Sequence, residues 1–109
     1  MERELLKGNL DMLLLAAIAN NPGHGYAIAG RLKELSSGAL NLAEGTMYPA
    51  LHRLEKKGYL ISEWEAGQGK PRRIYRITLR GRQLLASQKK TWSAVQRSIK
   101  LVLQATQGA

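Results

Sequence analysis

Hydrophobic residues recur every three or four positions in four segments of the chain, a period that predicts four helices. The first helix is expected from about Glu4 to Asn20, and the second from about Gly25 to Ser36. The run 12–19 inside the first helix is wholly apolar. It is shorter than the ~20 residues that a membrane helix needs, so we expect a buried helix there.

The third helical segment is expected to bury a stripe formed by Met47, Leu51 and Leu54, and Gly58 is suited to end it. The opposite, polar face consists of Thr46, Ala50, Arg53 and Lys57. In an isolated helix such a face would only be solvated. Because a basic hairpin follows this helix, we expect the polar face to meet DNA.

The start of the third helix has two interpretations. Residues 41–44, Asn-Leu-Ala-Glu, match a capping box, which would start the helix at Leu42 and place Pro49 deep in its interior. A proline in that position removes a hydrogen bond and costs about 3 kcal/mol. Either the helix begins later, near Gly45, or it is kinked at Pro49.

Two runs that alternate apolar and polar residues, Ile61–Glu65 and Arg72–Ile77, predict half-buried strands. The turn between them, 67–71, contains two glycines, a lysine and a proline. Helix, strand, basic turn, strand is the order of a winged helix, which combines a groove-reading helix with a loop that contacts phosphates. The expected fold is therefore mainly α, a winged helix-turn-helix with a small β-hairpin wing and one long C-terminal helix.

The long last helix is expected to begin near Leu79, with Thr78 as its N-cap. Its apolar positions alternate in steps of three and four and form a heptad seam with two polar interruptions. The seam consists of Leu85, Gln88, Trp92, Val95, Ile99, Val102 and Thr106. The seam predicts a partner, most simply a second copy of the chain, or alternatively packing back onto the first helix. We expect one compact unit in which 1–78 binds DNA and 79–109 dimerises.

Charge is distributed unevenly along the chain. The sequence has 17 Lys and Arg against 8 Asp and Glu, a formal net charge of +9. Residues 1–65 carry seven basic and eight acidic groups, for −1, whereas residues 66–109 carry ten basic groups and no acid, for +10. Such an excess favours a polyanionic partner. Nucleic acid is favoured over a membrane, because the basic cluster lies on a turn and strand and not on an amphipathic helix. The alternative is a basic surface that keeps the protein soluble and binds no specific acidic partner.

The residue inventory does not favour catalysis. There is no cysteine, and the two histidines, His24 and His52, lie on different predicted helices. Neither a paired acid nor a Ser-His-Asp set stands out, and the glycine turn 67–69 lacks the strand-to-helix context of a nucleotide loop. We expect no enzyme, metal or cofactor. The more serious alternative is a winged-helix module that binds proteins, which would be expected to have a neutral or acidic wing.

The same inventory bears on location. The lack of cysteine suits a reducing cytoplasm. Glu2, Glu4 and Asp11 interrupt the positively charged leader that a secretory signal needs, so the apolar run 12–19 is not expected to be a signal peptide. We expect a cytoplasmic protein that does not enter a membrane.

Four motifs lie along the predicted elements. They are His24-Gly25-Tyr26, the run Gly45-Thr46-Met47-Tyr48-Pro49-Ala50-Leu51-His52-Arg53-Leu54, the wing segment 67–78, and Gly81. With these motifs the chain, over roughly residues 5 to 105, resembles the PadR family of bacterial winged-helix transcription regulators. The resemblance implies a homodimer that binds a palindromic operator and usually represses transcription.

The resemblance also implies roles for individual residues. Tyr26 and Tyr48 match two family tyrosines near the DNA backbone, and packing between helices is an equal alternative for Tyr26. Thr46 and Arg53 would lie along the major groove, where an arginine can bind guanine or phosphate. The basic wing tip would consist of Lys70, Arg72 and Arg73. The last of these could instead belong to the strand.

The short C-terminal part resembles the small subfamily, in which the dimer surrounds a pore that admits flat aromatic compounds. Trp92 occupies the position of the pore tryptophan, flanked by Val95 and Ile99. Two indoles that face each other can sandwich a planar guest, and a flat cation gains further from the ring faces. The alternative is that the two tryptophans simply fill the interface.

Overall fold

The structure, a computed structural model, describes residues 3–66, 69 and 71–106. Four helices and a two-stranded antiparallel hairpin follow one another along the chain. They are α1 (Arg3–Ala19), α2 (Gly25–Leu35), α3 (Glu44–Lys56), β1 (Leu60–Glu65), β2 (Arg72–Ile77) and α4 (Leu79–Ala105). This order confirms the predicted fold class of a mainly helical winged helix with a long last helix.

The core lies where α1, α2 and α3 meet beneath the hairpin. The stripe of Met47, Leu51 and Leu54 is buried, as its helical spacing predicts. The prediction for Ala50 is wrong: this residue is only 1% exposed and belongs to the core, not to a polar face. The small, apolar methyl group of Ala50 fits at the edge of the buried stripe. The buried face of α3 is therefore wider than its three large apolar residues indicate.

The start of α3 lies between the two positions that the sequence suggested. Ala43 is the N-cap and has no side-chain cap bond, so the capping-box prediction with a start at Leu42 is wrong. The N–H groups of Thr46 and Met47 donate instead to the Ala43 carbonyl, at 3.0 Å each. The later start brings Pro49 nearer the N-terminus but keeps it inside the helix.

Two arginines hold the C-terminal end of α1 against its neighbours. Arg31 of α2 donates to the carbonyls of Ala17 and Asn21, the latter at 2.7 Å. Arg82 of α4 donates to the Ala19 carbonyl at 2.8 Å. The last carbonyls of a helix lack intrahelical partners, so these charged donors satisfy them and fix α2 and α4 relative to α1.

The hairpin is tied to the loop before α2. In its register Leu60 pairs with Ile77, and Trp64 pairs with Arg73. Gly23 exchanges both backbone hydrogen bonds with Tyr75, at 2.8 and 3.2 Å, and so adds one residue to the free edge of β2. The residue that follows, His24, is therefore held beside the base of the wing.

The last helix packs on the protein through its first half only. The Thr78 hydroxyl accepts the Gly81 N–H at 3.0 Å, which confirms Thr78 as N-cap. Gly81 and Leu85 are buried, whereas every described residue from Lys89 onward is exposed. The first half thus packs back onto α1, and the second half extends away from the rest of the chain and contributes to a longest dimension of 61 Å.

Candidate nucleic-acid interface

The exposed side of α3 differs from the face that the sequence predicted. It consists of Glu44, Gly45, Thr46, Pro49, His52, Arg53 and Lys56. Thr46 and Arg53 lie on it as expected, and His52 is a candidate that the sequence reasoning missed. Its spacing of seven from Gly45 and three from Pro49 places it on this face, and this spacing could have identified it.

A groove of about 390 Å³ joins α3 to the start of α2 and to the wing. Its walls are His24, Gly25, Tyr26, Tyr48, His52, Trp64, Pro71, Arg72, Arg73 and Tyr75. Four of the residues predicted from the sequence to contact DNA, two tyrosines and two arginines, therefore lie together. Thr46 and Arg53 lie outside the groove on α3, and Lys70 lies outside the described residues.

The two tyrosines of the groove differ in how they are held. Tyr26 is 82% exposed, so it does not pack between helices. Tyr48 lies against the backbone at Gly25, where an added Cβ would come within 2.5 Å of its ring. A side chain in place of the glycine of the His-Gly-Tyr motif would therefore force the Tyr48 ring to shift.

Arg73 is fixed by contacts within the hairpin. Its Nε donates to the Ser62 hydroxyl at 3.0 Å, and that hydroxyl donates to the Glu55 carboxylate. Its guanidinium also lies over the Trp64 ring, 4.9 Å from the centroid, where a cation interacts favourably with the ring face. The side chain is therefore pre-oriented at the groove wall, and both Arg72 and Arg73 lie within β2, not in the turn.

Arg53 has a partner that its helical position does not reveal. Its Nη2 lies 2.5 Å from the Asp11 carboxylate of α1, with side-chain exposures of 46% and 33%. The guanidinium is thus directed toward α1 even though the residue lies on the exposed face of α3. To reach DNA it has to leave this carboxylate.

The groove is electrostatically one-sided. None of the residues that line it in the described part of the chain is acidic, and two are arginines. Burial, and secondarily the nearby Glu55 carboxylate, raises the pKa of Tyr75 above its usual value of about 10, so this phenol stays neutral at physiological pH. A neutral floor with cationic walls suits a backbone phosphate.

A second groove, of about 310 Å³, lies between α1 and α4. It is lined by Gly8, Asn9, Met12, Ser87, Gln88, Thr91, Trp92 and Val95. Two of the three predicted ligand contacts, Trp92 and Val95, therefore share it, and Ile99 lies one turn farther along α4. The Gln88 Oε1 atom is buried and has no hydrogen-bond partner among the described residues.

Other kinds of site find no support in the part of the chain that the structure describes. No three of its His, Asp and Glu side chains come together in a way that could hold a metal ion. Within residues 3–66, 69 and 71–106, no helix combines the length and the apolar character needed to span a bilayer.

Known proteins resemble the chain in both sequence and fold. The sequence model described as "Transcriptional regulator PadR-like family" matches residues 14–87. A transcriptional regulator of Mycobacterium tuberculosis is 35% identical over 97 residues, which cover 89% of this chain and 88% of that protein.

Two solved structures illustrate the likeness in fold. A PadR family transcriptional regulator from Eggerthella lenta superposes with a TM-score of 0.80 at 35% identity, covering 92% of this chain and 86% of that one. A transcriptional regulator from Clostridium thermocellum superposes with a TM-score of 0.83 at 27% identity, covering 89% and 95%.

Proposed function

Because the chain belongs to the PadR-like family of transcriptional regulators, we propose that it is a cytoplasmic homodimer that binds a specific operator and represses transcription. The observation that carries this proposal is the groove that joins α3 to the wing. It combines two arginines and two tyrosines with no acidic lining residue in the described part of the chain. Such a surface suits the backbone of double-stranded DNA.

In this proposal α3 enters the major groove and presents Thr46 to the bases. Arg53 joins Thr46 once it has left Asp11, and can then bind either guanine or phosphate. The backbone is held from the groove and the wing. The proposed backbone contacts are Tyr26, Tyr48, Lys70, Arg72 and Arg73.

The salt dependence of binding to a random-sequence duplex tests the wing contacts. Arg72→Ala should weaken binding and make the slope of log K against log salt shallower by about 0.9, the share of one phosphate contact. Arg97→Ala removes the same charge from an exposed position of α4 and should leave the slope near that of the wild type. Equal slopes for both variants and the wild type would refute the wing contact. If the wild-type protein fails to bind any duplex at low salt, a protein-binding winged helix becomes the better assignment.

The dimer is proposed from the second half of α4. Trp92, Val95, Ile99, Val102 and Leu103 are exposed apolar residues on one side of this helix. Contiguous apolar surface of this kind marks an interaction site, and the heptad spacing fits a second copy of the same helix. A two-fold dimer would read an inverted repeat whose half-sites are about 10 base pairs, one helical turn, apart or a multiple of that.

Two charge substitutions on opposite sides of α4 distinguish this dimer from non-specific hydrophobic association. Ile99→Glu places a carboxylate on the proposed seam and should give a monomer in sedimentation. Leu101 is also exposed, at 61%, but its helical position is on the far side, so Leu101→Glu should stay dimeric. A dimer that survives Ile99→Glu would mean that the seam lies elsewhere.

The groove between α1 and α4 is proposed to admit a planar or hydrophobic ligand that releases the repressor. Trp92 and Val95 supply its apolar wall, and the unpaired Gln88 Oε1 offers an acceptor to a ligand donor. Ile99 of both protomers would complete the wall. Planar cationic dyes should quench the fluorescence of Trp92 saturably, and Trp92→Ala should stay dimeric but lose the dye. A weaker dimer in Trp92→Ala would instead support the role of filling the interface.

A further inference from the structure

His24 makes two contacts through opposite nitrogens of its ring. Its Nδ1 lies 3.3 Å from the backbone N–H of Ala27, which is the N-cap contact of α2. Its Nε2 lies 3.2 Å from Nη1 of Arg72 on the wing. The ring is half-buried and lines the groove described above.

These two contacts cannot both be hydrogen bonds. The Ala27 N–H and the Arg72 guanidinium are both donors, and a neutral imidazole has only one nitrogen that accepts. If Nδ1 accepts from Ala27, Nε2 carries a hydrogen that faces the guanidinium. If Nε2 accepts from Arg72, Nδ1–H faces the Ala27 N–H. In either tautomer one pair of donors has no acceptor between them.

The N-cap contact determines which pair is left without an acceptor. The Gly23–Tyr75 backbone pair fixes the residue before His24, and the His24 carbonyl accepts the Ile28 N–H at 3.0 Å. The ring nitrogen that caps α2 is therefore held in place, whereas the Arg72 side chain is exposed and free to reorient. Once the Arg72 guanidinium has turned away from the ring, Nε2–H and Nη1–H can both be directed at one acceptor beside the groove.

An anionic oxygen in this position would accept from both groups. We propose that His24 is a further DNA-contacting residue and that one backbone phosphate binds between its Nε2–H and the Arg72 guanidinium. This inference deepens the proposed function and rests on it. Charge-assisted hydrogen bonds of this kind are the stronger class, and a fixed first donor lowers the cost of ordering the second.

Protonation of His24 strengthens such a site, because the charged ring attracts the phosphate. A protonated ring gives up the Ala27 contact, and in the absence of DNA it faces the positive Arg72. The phosphate removes that repulsion, so DNA binding and proton uptake favour each other. Affinity for DNA should therefore rise as the pH is lowered.

Other ionisable groups surround the ring and have to be separated from it. They are Tyr26 on α2, Tyr48 and His52 on α3, and Arg72, Arg73 and Tyr75 on β2. Glu65 of β1 stands opposite Arg72 in the strand register. Histidine is the side-chain type whose charge changes most readily near neutral pH, so His52 is the one competing group in this set.

Two substitutions remove the second nitrogen while keeping the cap. His24→Asn and His24→Ser both place a good N-cap acceptor before α2, and neither side chain titrates near neutrality. Their thermal unfolding should match that of the wild type. His52→Asn removes the other histidine of the same groove, so its pH dependence, and not its affinity, is compared with that of the wild type.

The measurement is the affinity for a random-sequence duplex at about pH 6 and about pH 8. The wild type and His52→Asn should each bind several-fold more tightly at the lower pH, with about tenfold as the limit that a proton-affinity change of about one unit allows. His24→Asn and His24→Ser should lose this difference. At the lower pH their slopes of log K against log salt should also be shallower by up to about 0.9.

Several results would overturn the inference without affecting the wider proposal. If His24→Asn keeps the wild-type pH dependence, or His52→Asn loses it, the ring of His24 does not contact the phosphate. Inorganic phosphate at constant ionic strength is a further test. If it displaces DNA saturably from the wild type but not from His24→Asn, the site is assigned to the free anion. In these cases the Arg72→Ala result still decides the DNA-binding proposal. If the wild type binds no duplex at any pH, both proposals fail.

Discussion

The ion pair between Asp11 and Arg53 should limit how strongly the protein binds DNA. The Arg53 guanidinium lies 2.5 Å from the Asp11 carboxylate, on the side of α3 that is proposed to enter the major groove. While that pair lasts, Arg53 neutralises a carboxylate of its own chain instead of a phosphate. We expect Asp11→Asn to release Arg53 and to increase affinity for random duplex.

The structure sets the size of both effects. The side chains of Arg53 and Asp11 are 46% and 33% exposed, so solvent screens the pair and it contributes less than about 1 kcal/mol to stability. Its loss should lower the Tm by no more than about 8 °C in a domain of this size. One new phosphate contact steepens the slope of log K against log salt by about 0.9. Between about 50 and about 200 mM salt, the affinity of Asp11→Asn should therefore fall by a further factor of about 3.5 relative to the wild type.

The assay is a salt titration of duplex affinity for four proteins and one charge control, followed by thermal unfolding. The proteins are the wild type, Asp11→Asn, Arg53→Ala and the double variant. Glu34→Gln changes the net charge equally at an exposed site in the last turn of α2, and its slope should match the wild type. A slope in Asp11→Asn equal to that in Glu34→Gln would refute the reasoning. So would an Arg53→Ala effect of the same size with and without Asp11, because the two residues would then be independent.

Three further substitutions test the packing and the electrostatics of the fold. Gly81→Ala would place a Cβ 2.1 Å from the Tyr59 carbonyl oxygen. Overpacking of this kind should lower the free energy of unfolding, measured with denaturant, by about 1–3 kcal/mol or more. Gly30→Ala is the control, because its Cβ would have no neighbour within 4 Å, and it should be neutral or stabilising. Ser37→Gly should stabilise by about 1 kcal/mol, because Ser37 has a φ of 54° that a glycine adopts without strain. The raised pKa of Tyr75 favours the neutral phenol in the folded state, so its contribution is fully present below about pH 10 and is lost as pH rises through the higher folded value. Stability of the wild type should therefore fall more steeply above about pH 10 than that of Tyr75→Phe, and equal slopes would contradict this.

Local patterns predicted most of the fold because the helices and the hairpin are themselves local. The period of the buried stripe in α3, the alternation in the two strands and the cap at Thr78 each depend on residues a few positions apart. The start of α3 was harder to predict, because a capping box at 41–44 and Pro49 favour opposite solutions. The structure resolves this conflict with an uncapped start after Ala43.

The contacts that orient the site could not be predicted in the same way. Arg53 and Asp11 are 42 residues apart, and Arg72 and His24 are 48 apart, so neither pair leaves a periodic signal in the sequence. Helical spacing places Arg53 on a face but does not determine which carboxylate it meets. For this reason several side chains of the proposed DNA-facing surface could be placed on it from the sequence, whereas the intramolecular partners that hold them could not be predicted.

The position of α1 links the Asp11–Arg53 ion pair to the groove between α1 and α4. This helix packs against the other three helices and β2, so it lies between α3 and the base of α4. Two consecutive residues of α1 take part in different sites: Asp11 binds Arg53, and Met12 lines the groove that contains Trp92. A shift of α1 that alters the α4 groove therefore also moves the carboxylate that holds Arg53. Interfaces packed this closely rearrange between discrete arrangements instead of deforming smoothly. A ligand between α1 and α4 is thus expected to change DNA affinity less in Asp11→Asn than in the wild type, because Arg53 is no longer held by α1 in that variant.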